Sequence, residues 1–285
     1  MRAGRALRSA CTIAIAAALL QAACRSNDSA QTDAATARSV PGTTLRVLFV
    51  GNSLTYYNDL PARFAALHAA RVPNLHVHTG LLAQDGAGLR DRLRDGSLAR
   101  VLGAQSYDVV VLQEFGAWPA CDRALPACEP DSASLEAAAA PARAHRARPL
   151  WFGTWMPRAQ WQPALDQASR AIATRTRIAF ADAGAAVHDV AARVPAVLLA
   201  DGHPAPLGTW AIAAALSQAI LPEAAFPGAA PRACGLDWQA TSLRGDRLAV
   251  APPAADRRCD APASGQWRTI REAMKHAPPP SRPGM

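Results

Sequence analysis

The chain alternates short apolar runs with stretches in which apolar residues recur every three or four positions. Residues 45–50, LRVLFV, form the first run, and residues 108–113, DVVVLQ, hold another, with four apolar residues in succession. Near-continuous runs of this kind predict strands of a parallel sheet covered on both faces. Further strands are expected over residues 75–82, 150–155 and 178–182, the first of these carrying His76 and His78. Between strands the spacing changes. Pro61 opens a helix bearing Phe64 and Leu67, with Asp59 placed to cap it. Leu89, Leu93, Val101 and Leu102 continue at helical spacing, and helices are predicted around residues 134–146, 160–174 and 207–220. Strands interleaved with helices imply a three-layer α/β/α sandwich over residues 45–221. Beyond Leu221 the chain turns rich in Pro, Arg and Gly, which predicts a loop-rich C-terminal extension over residues 222–285.

Ahead of residue 45 the pattern is different. Arg2, Arg5 and Arg8 precede an apolar run over residues 10–20, and Ala22 and Ala23 then lead into Cys24. This is the layout of an export signal, and its apolar run is too short to cross a bilayer. The small-small-Cys ending is similar to a bacterial lipobox, with Gln21 where that motif carries an aliphatic residue. Residues 1–23 are therefore expected to be removed and Cys24 lipidated, with ordinary signal cleavage nearby as the alternative. A lipid at Cys24 would hold the protein to the bacterial cell envelope, at the outer membrane since Arg25 is not an inner-membrane retention aspartate. Residues 24–44 are polar and small and read as a flexible tether.

Loss of that signal takes three arginines with it and lowers the formal charge from +8 to +5. The remaining arginines are scattered among alanines rather than gathered in a stripe, so no nucleic-acid partner is implied. Four cysteines remain after Cys11 and Cys24, namely Cys121, Cys128, Cys234 and Cys259. An even number in an oxidising compartment predicts disulfides, and short loops favour pairing 121 with 128 and 234 with 259. None of the four has metal-ligand spacing to a histidine cluster, so neither a metal nor another cofactor is expected.

Parallel sheets bind ligands at the carboxyl ends of their strands. The first strand delivers Gly51-Asn52-Ser53-Leu54-Thr55, the second Asp85-Gly86-Ala87-Gly88, and the third Gln113-Glu114; Asp201-Gly202-His203-Pro204 comes after the fifth. Each segment alone is ordinary turn or strand-end chemistry. Together they supply a nucleophile, a base with a nearby carboxylate, and amide donors, which are the parts of an acyl-transfer site.

These segments also carry a resemblance. Residues 47–61, VLFVGNSLTYYNDLP, are similar to the first block of SGNH/GDSL hydrolases, in a branch with Gly-Asn-Ser. Residues 85–90, 110–114 and His203-Pro204 resemble the later blocks. The resemblance implies a flavodoxin-like parallel sheet and a serine esterase. It makes Ser53 the nucleophile and His203 its base. The Ser53 and Gly86 amides, with Gln113 in place of the usual asparagine, would form the oxyanion hole. It further implies a small acyl ester or an acetylated glycan as substrate. The acid normally stands three residues before the histidine, where this chain has Ala200, so either Asp201 or a main-chain carbonyl orients His203. The alternative is a non-catalytic carbohydrate binder that keeps the fold, served by Trp118, Trp155, Trp161 and Trp210.

Overall fold

The computed structural model describes residues 43–116, 132–156, 158–235 and 258–276. Cys24, Trp118, Cys121 and Cys128 lie outside the described residues.

Five parallel strands form the sheet: β1 (Thr43–Gly51), β2 (Leu75–Ala83), β3 (Val109–Gln113), β4 (Arg148–Phe152) and β5 (Ala179–Ala181), in the order β2-β1-β3-β4-β5. The order reverses direction between β1 and β3, and the crevice at such a point is where open α/β sheets bind ligands. Val47, Leu48, Phe49 and Val50 of β1 are fully buried, as expected for a strand with both faces covered. Their alternation divides them. Val47 and Phe49 join one apolar cluster, Leu48 and Val50 the other.

On the first face lie α2 (Leu60–Arg71), α7 (Ala183–Ala191), α8 (Pro206–Ile220) and α9 (Ser264–His276); on the second lie α3 (Leu89–Arg94), α4 (Ser97–Ala104), α5 (Ala133–Ala144) and α6 (Gln162–Thr176). The expected three-layer α/β/α sandwich is present. Asp59 caps α2 by accepting the Ala62 N–H at 3.2 Å, with Pro61 in the first turn, as the sequence predicts. His76 and His78 stand on the exposed half of edge strand β2, where their polarity costs nothing.

Three elements differ from the sequence reading. Strand β4 ends at Phe152 instead of residue 155, because β5 offers only Ala179, Phe180 and Ala181 as partners. Helix α7 was not anticipated, since AGAAVHDVA has too few large apolar residues to show a period. The C-terminal segment, expected to be loop-rich, carries α9, whose Trp267, Ile270, Ala273 and Met274 are buried at helical spacing. Each large side chain among them is worth about 1.5–3 kcal/mol in removed apolar surface, so this helix is part of the core. A short antiparallel pair, β6 (Ala233–Gly235) and β7 (Arg258–Asp260), precedes it and is joined by the Cys234–Cys259 disulfide, with Cα atoms 3.9 Å apart.

At the end of β5, Asp182 caps α7 through the Ala185 N–H at 3.1 Å and pairs with Arg170. Asp166 of α6 faces it and accepts from Gln162 at 2.7 Å. Burial, and then the Asp182 charge, lift the Asp166 carboxyl to about 7, and burial also raises Asp182. The folded chain thus keeps a proton that the unfolded chain releases near pH 4. That contribution to stability is complete below the unfolded value and is lost as pH rises through about 7. Asp166→Asn carries its donor at every pH. Its melting temperature should therefore fall less than the wild type's between pH 5.5 and pH 8.5, and parallel curves would rule out this pair as the cause.

Candidate active site

Strand β1 runs directly into a tight turn at Gly51-Asn52. Asn52 caps the one-turn helix α1 (Ser53–Tyr56), its side chain accepting the Leu54 N–H at 3.1 Å. Ser53 is thereby the first helical residue, a position whose N–H has no acceptor within the helix. The turn is braced from β3. Gln113 Oε1 accepts the Asn52 N–H and the Thr55 hydroxyl, both at 2.8 Å. Gly51 is required here, since a Cβ would stand 2.3 Å from both Gln113 Oε1 and Thr55 Oγ1.

The second loop, residues 84–88, is tied to the same turn. Gln84 donates its N–H to Gly51 O at 3.2 Å, Asn52 Nδ2 donates to Ala87 O at 2.9 Å, and the Tyr56 hydroxyl bonds Asp85. Glu114 anchors the far end of this loop by accepting the Leu89 N–H at 3.1 Å. Gly88 permits that approach, because a Cβ would lie 2.4 Å from Glu114 Oε1. Burial holds the Glu114 carboxyl above the usual carboxylate range, against the Phe115 and Leu89 N–H groups and the Ser134 hydroxyl, which favour its charged form. The last residue of β3 and the one that follows it therefore each fix one loop of the site.

The third segment is the hairpin before α8. Leu199 donates to His203 O at 2.8 Å, Ala205 to Val197 O at 3.0 Å, and Trp155 Nε1 caps the turn through Gly202 O at 2.9 Å. This hairpin brings His203 Nε2 to 2.8 Å from Ser53 Oγ, across 150 positions of sequence. On the other side of the ring, Asp201 Oδ2 stands 3.1 Å from Nδ1, although the angle there falls short of a hydrogen bond. Its Oδ1 accepts the backbone N–H of His203 at 3.0 Å. That N–H, and after it the charge of His203, holds the Asp201 carboxyl below the usual range. Asp201 is 59% exposed, so solvent screens its pull on the imidazole.

Two neighbours that sequence reasoning did not single out complete the fixation. The Tyr57 ring stacks on His203 with centroids 4.1 Å apart and planes 15° from parallel. Burial, then the Asp201 charge, raise the Tyr57 phenol, so it is neutral at ordinary pH. Asn58 donates to Pro204 O at 2.7 Å and to Thr209 Oγ1 at 2.8 Å, which ties the hairpin base to the Ser53 segment. Asn58 and Asp59 both have left-handed backbone, with φ of 52° and 51°. Consecutive non-glycine residues there are uncommon, and such strain clusters at functional sites. The signal available in the sequence was only that Tyr57-Asn58 sits inside the first block.

Of the expected residues, then, Ser53 and His203 meet, Asp201 lies beside the ring, and Gly86 is on the loop tied to Ser53. Gln113 occupies a different post from the one expected. It is fully buried, its carbonyl takes two donors from the Ser53 turn, and its Nε2 is bonded to Glu114 O. An amide so engaged holds the turn rather than facing a substrate. Among the described residues, no group of three His, Cys, Asp or Glu side chains is arranged to hold a metal ion.

No family model matches the sequence, and a search of curated proteins gives no significant match. Solved structures do match. A protein of Slackia heliotrinireducens proposed to be an SGNH hydrolase is 26% identical, with 62% of this chain and 100% of that one covered at a TM-score of 0.50. A DUF4886 family protein from Bacteroides uniformis is 13% identical, with 82% and 95% covered at a TM-score of 0.54, a likeness of fold. A variant of an acetyl xylan esterase from Geobacillus stearothermophilus is 21% identical, with 64% and 95% covered at a TM-score of 0.49. With the Slackia protein matched along its whole length and the sheet order in agreement with the sequence motifs, the chain has the three-layer α/β/α fold of SGNH hydrolases.

Proposed function

We propose that this protein is a serine esterase that cleaves a carboxylic ester through an acyl-enzyme. The observation that carries the reading is the 2.8 Å contact between Ser53 Oγ and His203 Nε2. A serine hydroxyl is a weak nucleophile until a base within hydrogen-bond reach accepts its proton. His203 takes that proton as Ser53 attacks the ester carbonyl, and then gives it to the departing alkoxide. Water then completes the cycle: His203 deprotonates it as it attacks the acyl carbon, the acyl–oxygen bond to Ser53 breaks as His203 returns the proton to Oγ, and a free acid leaves. The developing oxyanion is served by the Ser53 and Gly86 N–H groups. Asp201 and the face of Tyr57 stabilise the imidazolium formed at each step.

The competing reading, a carbohydrate-binding protein without activity, draws on tryptophans for a sugar platform. Trp155 and Trp210 are buried in the core, while Trp161 is exposed and stacked with Arg158 at 5.0 Å. The platform is therefore reduced, whereas the serine–histidine pair is intact. Purified protein should hydrolyse members of a p-nitrophenyl ester series from acetate to octanoate, with a burst of nitrophenol matching the enzyme concentration when deacylation is slow. A flat trace with every ester would refute the esterase reading.

A further inference from the structure

Arginines that are scattered in sequence are gathered by the fold. Helices α5 and α6 run back from the Ser53 end of the sheet, so their last turns lie at the opposite edge, where β4 and β5 begin. Arg143, His145 and Arg146 stand at the end of α5, Arg175 and Arg177 at the end of α6, and all five are exposed. The two ends touch, since Arg143 donates to Thr176 O at 3.2 Å and to Arg177 O at 3.1 Å. Leu150 stands opposite Ala179 in the β4–β5 register, and the same offset two residues back brings Arg177 beside Arg148. Asp108 and Glu223 also stand at this edge, Asp108 accepting the Arg46 N–H at 2.7 Å. Among the described residues, no carboxylate pairs with the guanidinium of Arg146, Arg175 or Arg177.

Helix stability does not call for this many cations. One near a helix C-terminus complements the dipole, and Arg143 already does so by bonding the α6 carbonyls. Arg146 and Arg177 have left-handed backbone, with φ of 62° and 53°. Glycine is the usual residue at that position after a helix, because it has no Cβ to strain. Like charges side by side cost stability as well. The arginines are thus kept against the interest of the fold, which points to a partner.

That partner is anionic and flat. The exposed large apolar side chains are Phe115, Trp161 and Leu199, none of them at this edge, so nothing here would stack a nucleic-acid base. Spread-out guanidiniums without aromatic neighbours suit phosphate headgroups in a surface. The chain also enters the fold at this edge: β1 begins at Thr43, directly after the polar segment that follows Cys24. By contrast Asp85, Glu114, Asp182 and Asp201 stand at the Ser53 edge.

We propose that the edge formed by the ends of α5 and α6 lies against an anionic phospholipid surface, the one to which a lipid on Cys24 would hold the chain. Ser53 then opens to the aqueous side, beyond the nine residues of β1, about 30 Å away. The test uses the mature chain with Cys24→Ser, which no acyl group can anchor, and vesicles of phosphatidylcholine alone or mixed with phosphatidylglycerol. Wild type should sediment with the mixed vesicles only, and high salt should release it. Arg146→Gly, Arg175→Gln and Arg177→Gly together should weaken that binding about a hundredfold, at about fivefold for each arginine, while melting no lower than wild type. Arg94→Gln, Arg158→Gln and Arg268→Gln together remove the same charge elsewhere and should change it far less. On mixed vesicles, amide exchange should slow over residues 143–148 and 175–178 and stay unchanged over residues 199–205. Equal binding to both vesicles, equal loss in the two triple variants, protection at residues 199–205 instead, or binding of a DNA duplex in place of vesicles would each overturn the proposal.

Discussion

Replacing His203 with alanine is expected to lower ester turnover by about three orders of magnitude or more, since no other base lies within reach of Ser53 Oγ among the described residues. The informative comparison is with the groups that hold the ring. In a buried triad, loss of the acid costs about 10⁴ in rate. Asp201 is in contact with His203 but is 59% exposed and poorly aligned. Solvent screens a charge so exposed, which leaves it worth less than a buried one. Asp201→Ala should therefore lose about tenfold to a hundredfold in kcat, less than a buried acid. The Tyr57 face adds a cation–π contribution of about 0.5 to 2 kcal/mol to the imidazolium, so Tyr57→Ala should lose about threefold to thirtyfold and Tyr57→Phe almost nothing. An Asp201→Ala enzyme as inactive as His203→Ala would mean that the carboxylate swings into a buried, aligned position in the working enzyme. Full activity in both Asp201→Ala and Tyr57→Ala would leave the hairpin backbone as the device that orients the ring.

Gln113→Ala is expected to act on stability before it acts on chemistry. The substitution leaves the Asn52 N–H, the Thr55 hydroxyl and the Glu114 carbonyl without their partner in a fully buried place. At about 1–3 kcal/mol for each buried group left unpaired, the loss is at least about 3 kcal/mol, a large share of the stability of an ordinary domain. Urea unfolding should show it as a lower midpoint with an unchanged slope. If Gln113 were instead an oxyanion donor, the same variant would unfold like wild type and lose turnover alone.

The two variants also mark what could be read from the chain. Buried strands announced themselves as apolar runs, and the residues following them included Ser53, His203 and the second loop, which the fold brings together, because chemistry at strand ends is a local feature of sequence. Gln113 was legible as a strand-end amide, but an amide pointing at a substrate and one pointing at a neighbouring loop have the same sequence; only the close approach of Gly51 shows which it is. Tyr57 escaped for a related reason. Its ring reaches His203 because Asn58 and Asp59 turn the chain through left-handed conformations, and nothing in their residue types demands that. Helix α9 was hidden differently: Trp267, Ile270 and Met274 have a clear helical period, which the surrounding proline-rich composition obscured.

The most direct test of the account is to treat the protein with a fluorophosphonate probe and locate the adduct by peptide mass spectrometry. The probe reacts with a serine whose proton is taken by a neighbouring base, and it needs no knowledge of the natural substrate. The account predicts one adduct, on Ser53, lost in Ser53→Ala and strongly slowed in His203→Ala. An adduct on another serine, or labelling undiminished in Ser53→Ala, would contradict it.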